Sequence, residues 1–140
     1  VAIGAPGNWR AVLIEGPPGS GKSSLALALI DRGAVLVGDD GVALDLREGR
    51  LWASPPPNIS GKLEIRNVGI VDLPAVEAPV ALVLRFDEAA PRYVEQAEQA
   101  ELLGRTLPLI RLWPGAPALA LRAEWALRLR GLPAIRGQYT

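Results

Sequence analysis

The stretch Gly16-Pro17-Pro18-Gly19-Ser20-Gly21-Lys22-Ser23-Ser24 restricts this chain more than any other. A short apolar run, Ala11-Val12-Leu13-Ile14, precedes it, and a Leu- and Ala-rich segment, 23–32 (SSLALALIDR), follows. The order reads as a buried strand, a tight turn and a helix that stops at Gly33. Glycines permit backbone angles that side chains forbid, so successive N–H groups can converge on one anion. The helix N-terminus adds partial positive charge at the same place. Gly16-x-x-x-x-Gly21-Lys22-Ser23 has the Walker A spacing with both flanks in order. Residues Gly16, Pro17, Pro18, Gly19, Ser20, Gly21, Lys22, Ser23 and Ser24 are therefore expected to hold the phosphates of a nucleotide. Lys22 is placed to reach the outer phosphates and the Ser23 hydroxyl to ligate Mg²⁺.

Composition narrows the chemistry around that cradle. The chain has 140 residues, enough for one domain with a real core. Hydrophobic residues make up 49% and aromatic residues only 5%, so the core must be aliphatic. Fifteen basic and fifteen acidic residues cancel, which removes any broad electrostatic claim on nucleic acid or membrane. There is no histidine and no cysteine, so Ser-His-Asp catalysis, thiolate chemistry, disulfides and Cys- or His-metal sites are excluded. The lack of cysteine fits a cytoplasmic protein. No apolar run reaches the roughly 18 residues of a membrane-spanning helix. Val1-Ala2-Ile3-Gly4 has neither a Met nor a basic signal-peptide start, and the expectation is an N-terminally trimmed fragment.

Further along, 34–37 reads as a second buried strand, 38–41 (GDDG) as a turn and 42–46 as a strand. A hairpin turn at 47–50 leads into 51–53, and the proline run 54–58 is expected to be an exposed loop. Residues 62–73 are expected to hold a turn followed by one strand, and 79–86 another strand. Residues 89–103 have a helical flavour. Residues 107–112 read as an edge strand because of Pro108, 118–130 as an amphipathic helix and 131–140 as a loose tail. No repeat or linker divides the chain, so 1–140 is read as a single domain.

The acid pair Asp39-Asp40 follows the second apolar run. A carboxylate at the end of a buried strand beside a phosphate loop commonly serves the metal. Neighbours on an extended chain point opposite ways, so the two acids can divide the work, one toward Mg²⁺ and one toward an attacking hydroxyl. The plain alternative is a turn, since Asp-Gly favours one.

Three blocks in order, "GPPGSGKSS", "LVGDDGV" and "LEIRNVGIVDL", resemble the catalytic domain of HPr kinase/phosphorylase, a bacterial enzyme that phosphorylates a serine of the phosphocarrier HPr. Weaker similarity ("AELLGRTLPLIRL") extends to about residue 112. The resemblance implies an α/β, P-loop-containing fold like that of phosphoenolpyruvate carboxykinase, with a mixed β-sheet core and flanking helices. It implies ATP and Mg²⁺ as cofactors, HPr as partner, a role in the phosphotransferase system and carbon metabolism, and a homo-oligomer, a hexamer in the family. Residue by residue, it implies Lys22 as the phosphate contact, Ser23 and Glu64 as metal contacts, Asp39 near the metal, and Asp40 as general base, or general acid in the reverse direction. The plain alternative for Glu64 is a surface acid paired with Lys62 or Arg66.

The sequence departs from the family at several places. No histidine precedes the first strand; truncation and divergence both account for that. Asn67 stands for a usual glycine. Arg92 is the nearest candidate for a family arginine, and the basic loop appears as "RLWPGAPAL", without its second Arg. Two rivals to a protein-serine kinase remain at this stage: a small-molecule kinase on the same scaffold and a nucleotide-sensing regulator that transfers nothing.

Overall fold

The computed structural model describes residues 1–58 and 60–135. Its centre is β7 (Ala78–Phe86), buried along nearly its whole length. An unbroken apolar run is what a strand covered on both faces requires. β2 (Arg10–Glu15) lies parallel to one edge of β7, with Val12 opposite Leu82 and Glu15 opposite Arg85. The other edge is shared. β4 (Arg50–Ser54) pairs antiparallel with its first residues, and β9 (Arg105–Leu112) pairs parallel from Val83 onward. β1 (Ala2–Ile3), β3 (Ala43–Arg47) and β8 (Glu98–Leu102) complete a mixed seven-stranded sheet as antiparallel partners of β2, β4 and β9. A separate two-stranded sheet is made by β5 (Lys62–Ile65) and β6 (Gly69–Asp72).

The helices α1 (Lys22–Asp31) and α2 (Leu119–Arg130) pack on one face of the large sheet. α1 buries Leu25, Ala26 and Leu29, and α2 buries Ala123, Ala126 and Leu127, against Val12, Leu82 and Leu84. The Arg32–Glu124 ion pair at 2.9 Å joins the two helices. A second cluster, around Val80, Val83, Leu51 and Leu107, fills the opposite face. The mixed sheet with flanking helices is the expected fold class.

Four local expectations are corrected. Residues 34–37 form no named strand. Val35 makes an isolated bridge to Ala2 and Leu36 one to Ala75, because each neighbour pairs for a single residue. Residues 62–73 hold two strands rather than one: Asn67, at φ 69°, takes the left-handed conformation that turns the chain back, and Asn tolerates that conformation better than most residues. Residues 89–103 are not helical, and their C-terminal part is β8. There the two-residue turn Leu103-Gly104, both at positive φ, reverses the chain into β9. β9 is not an edge strand, since it lies between β7 and β8. Pro108 is tolerated because pairing with β7 begins only at Leu109; Pro79 likewise sits before the β2 pairing begins at Val80.

In the proline run, Pro55 and Pro56 are half-buried rather than exposed. The C-terminal segment is tied down at its start: Leu132 N–H donates to Ala81 O at 2.9 Å, and Arg50 donates to Pro133 O at 3.0 Å. The rest of the expected tail, residues 136–140, lies outside the described residues. Among the described residues no helix is long and apolar enough to cross a membrane.

Candidate phosphate-binding cleft

β2 ends at Glu15, and the chain turns at once into the loop 16–21. Gly16 has to be glycine here. A Cβ would stand 2.7 Å from Ser20 Oγ and 3.2 Å from Phe86 Cβ at the end of the neighbouring strand. The Ser20 N–H donates to Pro17 O at 3.1 Å, closing the turn, while its hydroxyl is buried with no partner among the described residues. Gly21, at φ 101°, precedes α1, and no side chain caps the helix. The first N–H groups of α1 are thus left for something other than a protein side chain.

The acid pair reaches this loop through the buried residues Leu36 and Val37. The Gly38–Gly41 turn folds back so closely that a Cβ on Gly38 would lie 2.1 Å from Gly41 O. The turn separates the two acids, as alternation along an extended chain would. Asp39 is half-buried and accepts from the Ser23 hydroxyl at 2.5 Å through Oδ1. Its Oδ2 accepts from the Glu64 backbone N–H at 3.2 Å. Asp40 is exposed and its carboxylate has no partner among the described residues.

A cleft of about 490 Å³ opens between the loop, the start of α1 and the β5–β6 hairpin. Lys22, Ser23, Asp39, Asp40 and Glu64 all line it, as do Gly19, Gly21 and Ser24. A second cavity of about 230 Å³ meets it at Lys22, Asp39 and Asp40, with an apolar wall that includes Leu13, Leu44 and Leu102. Pro17 and Gly16 belong to the loop but do not line the cleft, and Arg92 does not reach it. The surface pairing considered for Glu64 is absent among the described residues. Lys62 pairs with Asp72 instead, and the Glu64 side chain has no partner.

Arg66, noted in the sequence within the third block and as a possible partner of Glu64, stands on the cleft rim beside Ile65. A period of two puts Glu64 and Arg66, just past the end of β5, on one side while Leu63 is buried on the other. The wall residues Leu44 and Leu102 carried no such signal, because they meet only through the sheet.

The chemistry of this donor set is that of a phosphate and cation site. It offers unpaired helix N–H groups, an ammonium, a hydroxyl already aligned by a carboxylate, and two further free carboxylates across the cleft. Among the described residues no cluster of three acidic side chains forms a metal site alone, so a cation here would need the hydroxyl and the phosphate itself.

Comparison with known proteins gives the same direction. Residues 10–77 match the family described as HPr Serine kinase C-terminal domain. The chain is 49% identical over 65 residues to HPr kinase/phosphorylase of Clostridium tetani, covering 46% of this chain and 21% of that protein. It is 36% identical over 115 residues to the Streptococcus thermophilus protein of the same name, covering 72% of this chain and 37% of that protein. With the Cupriavidus necator protein the identity is 33% over 148 residues, with 89% and 45% covered. The chain therefore spans less than half the length of these curated relatives. A solved structure, the Hpr(Ser) kinase/phosphatase from Coxiella burnetii, superposes with a TM-score of 0.70 at 28% identity, covering 86% of this chain and 81% of that one.

Proposed function

We propose, from the match of residues 10–77 to the HPr Serine kinase C-terminal domain family, that the chain is an ATP- and Mg²⁺-dependent protein-serine kinase acting on an HPr-type phosphocarrier. The observation that supports this best is the convergence of Lys22, Ser23, Asp40 and Glu64 on one cleft, with each charged side chain free of a protein partner among the described residues. Bound there, Mg²⁺ and ATP would supply the phosphoryl group and the positive charge that offsets its oxygens. Lys22 and the N–H groups at the start of α1 hold those oxygens. Ser23 and Glu64 are the groups that would hold the cation, with Asp39 aligning the Ser23 hydroxyl. Asp40, at the open mouth, takes the proton of the incoming serine as its oxygen bonds to phosphorus and the bond to the leaving diphosphate breaks. In the reverse sense Asp40 returns that proton.

The forward direction has the stronger support. Arg111, in the segment corresponding to the family's basic loop, is engaged by Glu98 at 2.8 Å and Asp87 at 3.1 Å. It lines neither cavity at the glycine-rich loop. The whole of 1–140 is read as one catalytic domain in the cytoplasm. The exposed stripe Leu121, Trp125 and Leu129 on α2 supports the homo-oligomeric part of the reading.

Incubation with γ-labelled ATP, Mg²⁺ and HPr tests the proposal. Label is expected on a serine of HPr and not on sugars or nucleosides. Asp40→Asn should lower the transfer rate by about 10²–10⁴-fold with nucleotide binding retained. Undiminished turnover in that variant refutes the base assignment. Nucleotide binding with no transfer to any protein makes the chain a sensor.

A further inference from the structure

The β5–β6 hairpin forms half the cleft, yet it is not part of the large sheet. A lone two-stranded hairpin is marginal in water, so its attachment decides where Glu64 stands. Its internal bonds do not attach it. Leu73 N–H donates to Gly61 O, and Lys62 pairs with Asp72, both within the hairpin. Two links reach the body. Leu63, fully buried, packs under β5, which lies on α1. The other is the Glu64 N–H to Asp39 Oδ2, the one polar tie from 61–73 to the rest of the protein among the described residues.

That tie follows from register. The Leu73–Gly61 bond places positions 61, 63 and 65 in hydrogen-bonded pairs with β6. The Glu64 N–H therefore points out from the free edge, where it would have no partner in the hairpin. Asp39 fills that vacancy with one oxygen and holds the Ser23 hydroxyl with the other. One carboxylate thus connects the first turn of α1 to the strand that carries Glu64.

The geometry points to Asp39 as a positioning residue that acts through Glu64: it fastens the hairpin to the phosphate loop and so sets the Glu64 carboxylate across the cleft from Ser23. Cation binding and hairpin order are then linked, and each strengthens the other. This deepens the kinase reading and rests on it for the role of Glu64, but the fastening itself does not.

Hydrogen exchange on the whole chain tests the fastening without nucleotide. Asp39→Ala removes both acceptors, and amides in 61–73 should exchange about tenfold faster while those of α1 and β7 stay within about twofold. Asp39→Asn keeps an acceptor for the Glu64 N–H and a group that can bond Ser23 Oγ, so it should hold 61–73 within about threefold of the parent. In a transfer assay the apparent KM for Mg²⁺ should rise about tenfold in Asp39→Ala, more than kcat falls, and Asn should recover most of that rise. Unchanged exchange in Asp39→Ala overturns the proposal. So does an Asn variant whose hairpin stays protected while its Mg²⁺ KM rises as far as in Ala, since Asp39 would then act by its charge alone. Should Asp39→Ala not fold, Ser23→Ala serves. It frees one arm of the bridge, and exchange in 61–73 about threefold faster supports the proposal, whereas none overturns it. If the parent transfers nothing to HPr, the kinase reading fails and the nucleotide-free exchange data still decide the fastening.

Discussion

The two walls of the cleft are held in contrasting ways. The loop and α1 rest on the core: Leu25, Ala26 and Leu29 are buried against the sheet, and Arg32 ties the helix end to α2. The hairpin rests on one buried leucine and one carboxylate. Its tip is bare, with Val68 76% and Ile70 70% exposed. The wall formed by the glycine-rich loop and α1 is anchored in the core, and the wall that brings Glu64 is attached by a bond that runs through the cleft itself. A site built this way can be complete only when its own polar bridge is made.

Paired leucine truncations give the strongest test of that contrast. Leu29→Ala should cost about 2–5 kcal/mol of global stability, seen as a lower urea midpoint with an unchanged slope. Leu63→Ala removes as large a side chain but should lower the midpoint less and speed exchange mainly within 61–73. Equal midpoint shifts with uniform exchange would show that the hairpin belongs to the same cooperative unit as α1.

A smaller effect is expected inside the loop. The Ser20 hydroxyl is buried under Gly16 without a partner among the described residues, which is a net cost in the nucleotide-free protein. Ser20→Ala should raise nucleotide-free stability by about 1 kcal/mol, read as a melting temperature a few degrees higher. A lower melting temperature would mean that the rigid wall depends on this hydroxyl.

The smallest effect concerns a tie that is exposed rather than buried. Arg47 on β3 holds Glu77, ahead of β7, at 2.9 Å and stacks on Trp52. The hydrogen bond from Arg47 keeps the Glu77 carboxyl below its ordinary value of 4.5. A depressed carboxyl pKa contributes stability that is present above the unfolded value and lost as pH falls through the folded one. Glu77→Gln should therefore lower stability at neutral pH, by no more than about 1 kcal/mol because the pair is exposed, and that difference should vanish as pH falls below about 4.5. A large loss at neutral pH would place surface charge on a level with Leu63 as a fastening.

Much of the rigid wall was legible from the residues. The apolar run 11–14, the glycine spacing and the helix 22–31 are neighbours in the chain, and local preference and local geometry agree there. The same holds for the hairpin at 47–50, where Glu48 and Gly49 take the positive φ of a two-residue turn. The second wall was legible only in part. Glu64 was marked by resemblance, but the strand that carries it, β5, was expected to be a turn, because Lys62, Glu64 and Arg66 put charge at every second position of a short segment. Residues 89–103 misled for a related reason. Polar segments with few β-branched residues look helical until a partner strand, here β9, claims them.

The sequence by itself determined a glycine-rich loop running into a helix, where its lysine and hydroxyl lie, and that two acids follow close behind. Those features depend on residues adjacent in the chain, whose backbone angles and helix end are local matters. Only the tertiary structure decided that Asp39 turns inward to join Ser23 and the Glu64 N–H while Asp40, exposed at the mouth, meets no partner among the described residues. The physical reason is that hydrogen-bond partnership depends on distance and direction after packing, and a free N–H on a strand edge donates to whichever carboxylate the fold delivers to it.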